Sequence, residues 1–404
     1  MRLRPFLRNL LPGPLRERYH RYALRRDFGI DRARGTRRPA RLSHDLPRGL
    51  NVIGYFESAS GVGESARSLA CAAQEAGLEV ARIEASRPAV AIAAPYDVNL
   101  YHVNADGAAA VVEELGPRLH AGRANVAYWY WETERFPARW RDRFDYFDEV
   151  WVGSEFCRRA IGPASPVPVA LVPPAVALPK AASAARERYG LPATGFLFLT
   201  IFDATSVPER KNPVGTIRAF ARAFPAPSET SLLVLVSNAG EAPGLSGAMR
   251  EAARGARVSI FEEWIGRSEL AALFAACDAY VSLHRAEGLG LPIAEAMSLG
   301  KPAVATGYSG SADYLDETTG FPVRWRPASL PERIRDYDAG TRWAEPDEEH
   351  AVETLRRVVS DRAEASRRAE TGRRRIAELY GSAAAGERVR MRLDALRARL
   401  GKGP

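Results

Sequence analysis

Lysine is nearly missing from this 404-residue chain. Only Lys180, Lys211, Lys301 and Lys402 stand among its 57 basic residues, so arginine carries almost all of the positive charge. Cysteine is scarce as well. Cys71, Cys157 and Cys277 are widely spaced and form no CxxC pair, which excludes a disulfide framework or a zinc cluster. No stretch of about 18 apolar residues runs uninterrupted, which excludes a transmembrane helix. No internal repeat with a period of 20–50 residues is present, so a solenoid is excluded too. Apolar residues make up 46% and charged residues 26%, an ordinary balance that leaves no room for a largely disordered or fibrous chain. At roughly 100–200 residues per domain, the length fits two or three domains.

The formal net charge of +8 suggests a nucleic-acid partner until it is located along the chain. Residues 1–50 hold 14 arginines and 4 acids, a net of +10. The other residues hold 43 basic and 45 acidic side chains, a net of −2. The excess therefore belongs to a basic arm over residues 1–49, and no nucleic-acid partner is expected for the remainder. The arm lacks the apolar core of a secretory signal. Two readings of it stand ahead of a nucleic-acid contact. It is a solvated tail, or Leu3, Phe6, Leu7, Leu10 and Leu11 among the arginines form an amphipathic patch. In the second case residues 1–45 would touch an anionic membrane surface, at about 1 kcal/mol per basic residue.

From Leu50 onward short apolar runs alternate with helical patterns. Strands are expected at 51–55, 79–83, 97–103, 125–129, 149–152 and 167–172. A second series follows at 196–202, 231–236, 257–261, 279–283 and 302–306. Helices are expected at 63–76, 213–224, 268–276 and 291–299. Runs such as Leu232-Leu-Val-Leu-Val carry no polar face, as a parallel sheet covered on both sides requires. The alternation gives an α/β fold with two Rossmann-like, doubly wound domains facing across a cleft. Boundaries are expected at 50–175 and 176–345, joined through the proline-rich stretch 172–183. Residues 346–404 read as C-terminal helices that partly pack back on the first domain.

Three stretches carry chemistry. The first, Gly61-Val-Gly63-Glu64, follows the first strand and opens a helix, where glycines admit a ligand to unpaired amides. It is not GxGxxG, because residue 66 is alanine, and no acid follows at the ribose distance, so a dinucleotide site is not expected. The second, Arg210-Lys211-Asn212-Pro213, places the chain's rare lysine beside an arginine at a strand mouth. A bidentate cation next to a compact one suits a diphosphate. The third is His284-Arg-Ala-Glu287-Gly288-Leu289-Gly290-Leu291-Pro292-Ile-Ala-Glu295. Pro292 fits a first helical turn, so Glu287 lies in the loop and Glu295 on the helix, both at the end of the preceding strand. Trp129, Trp131 and Glu132 lie at another strand end, where the aromatics are either core or a platform for an acceptor sugar. Asp336-Tyr-Asp338 resembles a metal-binding DxD but is read as surface away from these motifs. No metal is expected.

The pattern Glu287-x7-Glu295 followed by Ala-Met-x-x-Gly300-x-Pro302 resembles the retaining glycosyltransferases of family 4, which have the GT-B fold. Tyr128-Trp-Tyr-Trp131-Glu132, Asp148-Glu-Val-Trp-Val-Gly-Ser154, Arg210-Lys-Asn-Pro213 and Thr306-Gly-Tyr-Ser309-Gly310 reinforce it, over about residues 50–380. The resemblance implies that Glu287 binds hydroxyls of a donor sugar and Glu295 those of a ribose. It implies that Lys211 neutralises the diphosphate, with Arg210, His284, Ser309 and the Gly288–Leu291 backbone beside it. Gly61 and Gly63 would close from the other domain, and His102 would sit near the sugar. Many relatives carry an arginine five or six residues before the lysine. Here that stretch is Asp203–Ser206, with Arg210 adjacent to Lys211 instead, and Asp313 stands in for the usual acid after the second glycine-rich turn.

The function implied is transfer of a hexose from a nucleotide diphosphate sugar, GDP- or UDP-linked, to a glycan or lipid-linked acceptor in cell-surface polysaccharide synthesis. No cofactor beyond that co-substrate is expected. The expected location is cytoplasmic, with peripheral contact at the inner membrane face if the basic arm binds there. A catalytically silent nucleotide-sugar-binding protein and a nucleotide-sugar epimerase of the same fold are the alternatives.

Overall fold

The computed structural model describes residues 42–43, 45–86, 93–176, 178 and 186–401, together with Leu15, Tyr22 and Phe28. The apolar positions of the basic arm (Leu3, Phe6, Leu7, Leu10 and Leu11) and Lys180 lie outside the described residues. Two six-stranded sheets form the frame. The first runs in the order β2-β1-β3-β4-β5-β6, all parallel. Its strands are β1 (Leu50–Gly54), β2 (Val80–Glu84), β3 (Val98–His102), β4 (Ala124–Tyr128), β5 (Glu149–Val152) and β6 (Val169–Leu171). Every residue of β1, β3, β4 and β5 is buried, because helices cover both faces of a parallel sheet.

The second sheet has the order β12-β11-β10-β7-β8-β9, again parallel. It comprises β7 (Leu197–Asp203), β8 (Ser231–Ser237), β9 (Val258–Phe261), β10 (Ala279–Ser282), β11 (Ala303–Thr306) and β12 (Phe321–Val323). Strand order reverses between β1 and β3 in one sheet and between β7 and β10 in the other. Ligands of open α/β sheets bind at such switch points, beyond the carboxyl ends of the strands. The fold thus singles out the residues after β1, β3, β7 and β10.

The helices used below are α1 (Gly61–Glu75), α2 (Ala105–Leu115), α3 (Pro117–His120), α4 (Glu155–Ile161), α5 (Pro208–Lys211), α6 (Pro213–Ala223), α7 (Leu245–Ala252), α8 (Arg267–Ala276) and α9 (Leu291–Ser298). Three more close the chain: α10 (Glu348–Ser360), α11 (Arg362–Tyr380) and α12 (Ser382–Gly401). Helix α10 buries Ala351, Val352, Leu355 and Val358 in the core of the second sheet. Helix α12 returns to the first sheet, where Val389, Leu393, Leu396 and Leu400 join Leu50, Val52 and Leu69. Gly386 makes the α1 contact possible, since a Cβ there would lie 2.2 Å from the Ala72 carbonyl oxygen. The arginines of α12 are not an idle charge run. Arg392 and Arg399 pair with the fully buried Glu149, and Arg397 binds Asp97 at 2.8 Å.

The last three strands escaped the sequence reading. After β12 the chain makes an antiparallel hairpin, β13 (Trp325–Ser329) with β14 (Arg342–Pro346), in the register Trp325↔Pro346 to Ser329↔Arg342. Its connecting loop reaches across to the first domain. Arg139 pairs with Asp338 at 2.7 Å, and Arg342 pairs with Glu134 at 2.7 Å. The tyrosine of Asp336-Tyr-Asp338 is therefore not surface. Tyr337 is buried with its ring 5.3 Å from that of Trp131, while the flanking acids are exposed. The hairpin escaped notice because β13 is mostly exposed and the buried side chains, Leu330, Tyr337, Trp343 and Ala344, are scattered rather than a continuous face.

Candidate active site

Lys211 and Arg210 end the single turn of α5, directly after the β7 terminus. The turn is bounded by two residues in the left-handed region, Val207 (φ 59°) and Asn212 (φ 53°). Each precedes a proline, Pro208 or Pro213, that starts the next helix, and Asn212 anchors the corner by donating to the Leu283 carbonyl at 2.8 Å. Both cations thereby point at the loop after β10. Lys211 Nζ lies 2.5 Å from Glu287 Oε1, and Arg210 Nη1 lies 3.3 Å from Glu287 Oε2. Arg210 is only 4% exposed. It also donates to the Ala286 carbonyl at 2.7 Å and the Ser206 carbonyl at 3.1 Å. The stretch Asp203–Ser206 folds into a small turn, with Asp203 accepting from Thr205 and Asn238.

Burial alone would raise the Glu287 carboxyl, but Lys211 and Arg210 outweigh it and hold the group down at about 2. Lys211 is pulled below its ordinary range, first by burial and then by Arg210, against the pull of Glu287. The Glu287 loop is fixed from behind. Its amide donates to Ser309 Oγ at 2.8 Å, and its carbonyl accepts from Gly310 at 2.9 Å. Gly310 cannot be larger, since a Cβ would sit 2.1 Å from the Gly288 carbonyl oxygen. Gly290, at φ 80°, turns the chain into α9. Tyr314 donates to the carbonyls of Leu289 and Gly290 at 2.9 and 2.8 Å.

Glu295 lies one turn into α9 and is 2% exposed. It accepts from Arg267 Nη2 at 2.7 Å. Burial pushes its carboxyl up to about 7, against the pull of Arg267. His284 is buried between Ser282, Ser311 and the Tyr308 carbonyl, at 3.3–3.4 Å. It therefore braces the loop from inside, and its ring has no exposed face for a donor.

On the first domain, Ser60 caps α1 by accepting from the Gly63 amide at 3.2 Å. The two glycines differ in what they do. A Cβ on Gly63 would strike the carbonyl oxygens of Tyr55 and Ser58 at 2.5 and 2.7 Å, whereas Gly61 has nothing within 4 Å. Gly63 makes the turn, and Gly61 leaves space in front of the helix N-terminus. His102, at the end of β3, is fully buried. Its Nε2 is 3.0 Å from Ser65 Oγ, which is 2.7 Å from the Tyr130 hydroxyl, and its ring stacks on Tyr128. Burial pushes it down to about 3, so it is neutral. The expectation of a histidine beside the sugar is corrected to one lying beneath the cleft wall.

Of the two readings left open for the aromatics, the structure favours core. Trp129 is fully buried among Phe136, Phe144 and Phe147. Trp131 packs on Trp140 and Tyr337 and donates to the Arg135 carbonyl at 2.7 Å. Trp129 has no face for an acceptor, whereas Trp131, though buried, borders a pocket with Thr133, Glu134, Arg135 and Thr341. Glu132 does reach the site, accepting from the Tyr337 hydroxyl at 2.9 Å, with Arg210 at 3.9 Å. The domains meet closely here. Ser154 Oγ donates to the Gly288 carbonyl at 2.6 Å, and the Glu155 amide, first in α4, donates to Asp313 at 2.6 Å. Sequence reasoning missed Arg267 and Tyr337. The one available signal for Arg267 was a cation in the first turn of a helix, where the macrodipole disfavours it.

Among the described residues no group of three or more His, Cys, Asp or Glu side chains is gathered for a metal ion, and no helix is long and apolar enough to cross a membrane.

Residues 204–337 match the family model described as "Glycosyl transferases group 1". Three solved structures share the fold over their whole length. Sucrose-phosphate synthase of Thermosynechococcus elongatus superposes with a TM-score of 0.64 at 18% identity, covering 87% of this chain and 100% of that one. HepE of Anabaena, solved with UDP and glucose, gives 0.61 at 13%, covering 86% and 100%. WaaG, a glycosyltransferase involved in lipopolysaccharide biosynthesis, gives 0.56 at 15%, covering 88% and 100%. No curated protein sequence matches the chain significantly. Residues 204–337 are thus similar to a group 1 glycosyltransferase domain, and the chain as a whole shares the two-domain GT-B fold of these solved structures.

Proposed function

We propose that the protein is a retaining glycosyltransferase of family 4 that moves a hexose from a nucleotide diphosphate sugar to a glycan or lipid-linked acceptor, in the assembly of a cell-surface polysaccharide. The observation that carries this reading is the Lys211–Glu287–Arg210 cluster at the β7/β10 switch point. Breaking the bond between the anomeric carbon and the diphosphate delivers charge to the leaving oxygen. Two cations already buried and oriented stabilise that charge without reorganising. The N-terminal amides of α1 and α9 add to them. The carbonyls of Gly288, Leu289 and Gly290 are already engaged, so this loop offers a ligand its N–H groups.

Without donor, Glu287 neutralises Lys211. An arriving diphosphate takes over the lysine, and the carboxylate turns to the hydroxyls of the sugar, while Glu295 accepts from those of the ribose. A carboxylate committed to the hydroxyls of the donor sugar is not free to attack its anomeric carbon. Double displacement through Glu287 is therefore disfavoured. The reaction instead runs on one face: the acceptor oxygen bonds to the anomeric carbon as the diphosphate leaves, and its proton passes to the departing phosphate oxygen. Closure of the domains excludes water from the reacting centre. The basic arm over residues 1–45 would hold the enzyme at the cytoplasmic membrane face, near such acceptors.

A thermal-shift panel of UDP-, GDP- and ADP-sugars tests the reading. UDP leads because HepE was solved with it. A true donor at 100 times its Kd stabilises by about 2.7 kcal/mol. Turnover with Lys211→Ala and Glu287→Ala, and the anomeric configuration of the product by NMR, complete the test. The reading fails if no nucleotide sugar shifts the protein, if both variants turn over like the parent, or if the product is inverted.

A further inference from the structure

Arg267 is placed where a helix would not choose it. It is the first residue of α8, and a cation near a helix N-terminus opposes the macrodipole. What it gains is two carboxylates from two domains. Its Nη2 lies 2.7 Å from Glu295 Oε1 on the second domain and 3.1 Å from Glu64 Oε1 on the first. Glu64 follows Gly63 in the first turn of α1, and its other oxygen is fixed by Arg67, at 2.9 and 3.0 Å. That leaves Oε1 aimed across the cleft.

We propose that Arg267 is a positioning residue for the nucleotide donor: one guanidinium nitrogen holds the Glu295 carboxyl in place as the acceptor for the ribose hydroxyls and, through Glu64, ties it to the glycine-rich turn that closes over the diphosphate. The proposal rests on the donor-site reading above. Its chemistry is simple. A ribose donates two O–H bonds, and a carboxylate accepts both, whereas a carboxylic acid must spend one oxygen as a donor. Glu295 is buried deeply enough to be driven towards the neutral acid. The groups that face it are Arg267 from α8, Glu64 from α1 and Tyr280 from β10. Only Arg267 among them favours the ionised form. Ribose recognition and closure of the glycine-rich turn are therefore linked through one side chain of the second domain, which holds one carboxylate from each domain.

The test is calorimetric titration of the full chain with UDP at pH 6, 7 and 8.5, with GDP and ADP run in parallel on the parent. Parent, Arg267→Ala, Arg267→Lys and Glu64→Gln are compared, each checked for folding by its thermal transition. For Arg267→Ala the expected result is about tenfold weaker UDP binding at pH 7, recovering towards pH 8.5 as Glu295 ionises, in proportion to its protonated fraction. Arg267→Lys restores most of the affinity at pH 7. Glu64→Gln weakens binding severalfold through the lost tie to the glycine-rich turn, without the recovery towards pH 8.5 expected of Arg267→Ala, because removing the Glu64 charge favours the ionised Glu295. The proposal is overturned if Arg267→Ala binds UDP like the parent at all three pH values, or if its loss is the same at each pH and Lys does not rescue it. Should the parent bind none of the three nucleotides, the donor-site reading fails first and takes this proposal with it.

Discussion

Replacing Glu287 with glutamine separates its two roles. In the folded chain its carboxyl titrates at about 2 instead of the ordinary 4.5. A carboxyl with a depressed folded pKa stabilises the fold above its unfolded value and loses that stabilisation as pH falls through the folded one. The window is therefore about pH 4.5 down to about 2, and the carboxylate's share at neutral pH is about 3 kcal/mol. Lys211 gives part of this back, since burial and Arg210 pull its own ammonium down. A net loss of roughly 1–3 kcal/mol, a few degrees in Tm, is expected for Glu287→Gln. Its stability should also be flatter than the parent's between pH 4.5 and 2. Binding moves the other way. With the anion gone, Lys211 loses its carboxylate partner and Arg210 keeps only Glu132, at 3.9 Å, so free UDP should bind at least as tightly as to the parent. Sugar transfer should fall by 10²-fold or more, as when a preorganised charge-stabilising contact is removed. Differential scanning fluorimetry with and without UDP, beside a transfer assay, reads all three quantities. If UDP binding disappears together with activity in a folded variant, Glu287 shapes the diphosphate site itself and the division of roles is wrong.

Further outcomes follow from the same geometry. Gly310→Ala drives a Cβ into the Gly288 backbone and should cost about 1–3 kcal/mol along with donor affinity, whereas Gly61→Ala, with open space around it, should leave Tm unchanged and weaken only diphosphate binding; a Tm series with UDP titration compares them. His102 titrates near 3 in the fold against 6.5 unfolded, so the unfolded chain takes up its proton first and the parent should lose stability as pH drops from 6.5 towards 3. His102→Gln should remove that slope in pH-dependent unfolding and leave no missing limb in the pH–rate profile above pH 5. Tyr337→Phe removes the hydroxyl that Glu132 accepts from and should cost about 1.5–3 kcal/mol, as loss of a bond to a charged group does; chemical denaturation against the parent measures it.

The fold was legible because its signals are local. Apolar runs in β7 and β8 and the turn residues around Pro213 and Pro292 each act within a few neighbours, and their alternation dictates parallel sheets. Lys211, Arg210, Glu287 and Glu295 stood out for a related reason, since the first two lie between the readable strand β7 and the next helix and the other two follow the readable strand β10. Trp129, Trp131 and His102 also sit at strand ends, and the pattern could not say which side of the cleft wall they occupy. That depends on what the 3₁₀ segment Ala138–Tyr146, Ser65 and Tyr130 fill. Tyr337 was misread because its partner, Glu132, lies 205 residues away.

By itself, the sequence determined two doubly wound domains, a basic arm set apart from a near-neutral body, and the cations and carboxylates at the strand ends. Tertiary structure alone decided how those charges pair. Lys211 meets Glu287 across 76 residues, and Arg267 joins Glu64 to Glu295 across the cleft. Secondary structure is set by neighbours along the chain, which a sequence displays. A buried charge is set by whichever opposite charge packing brings within about 4 Å, and no spacing in the sequence records that distance.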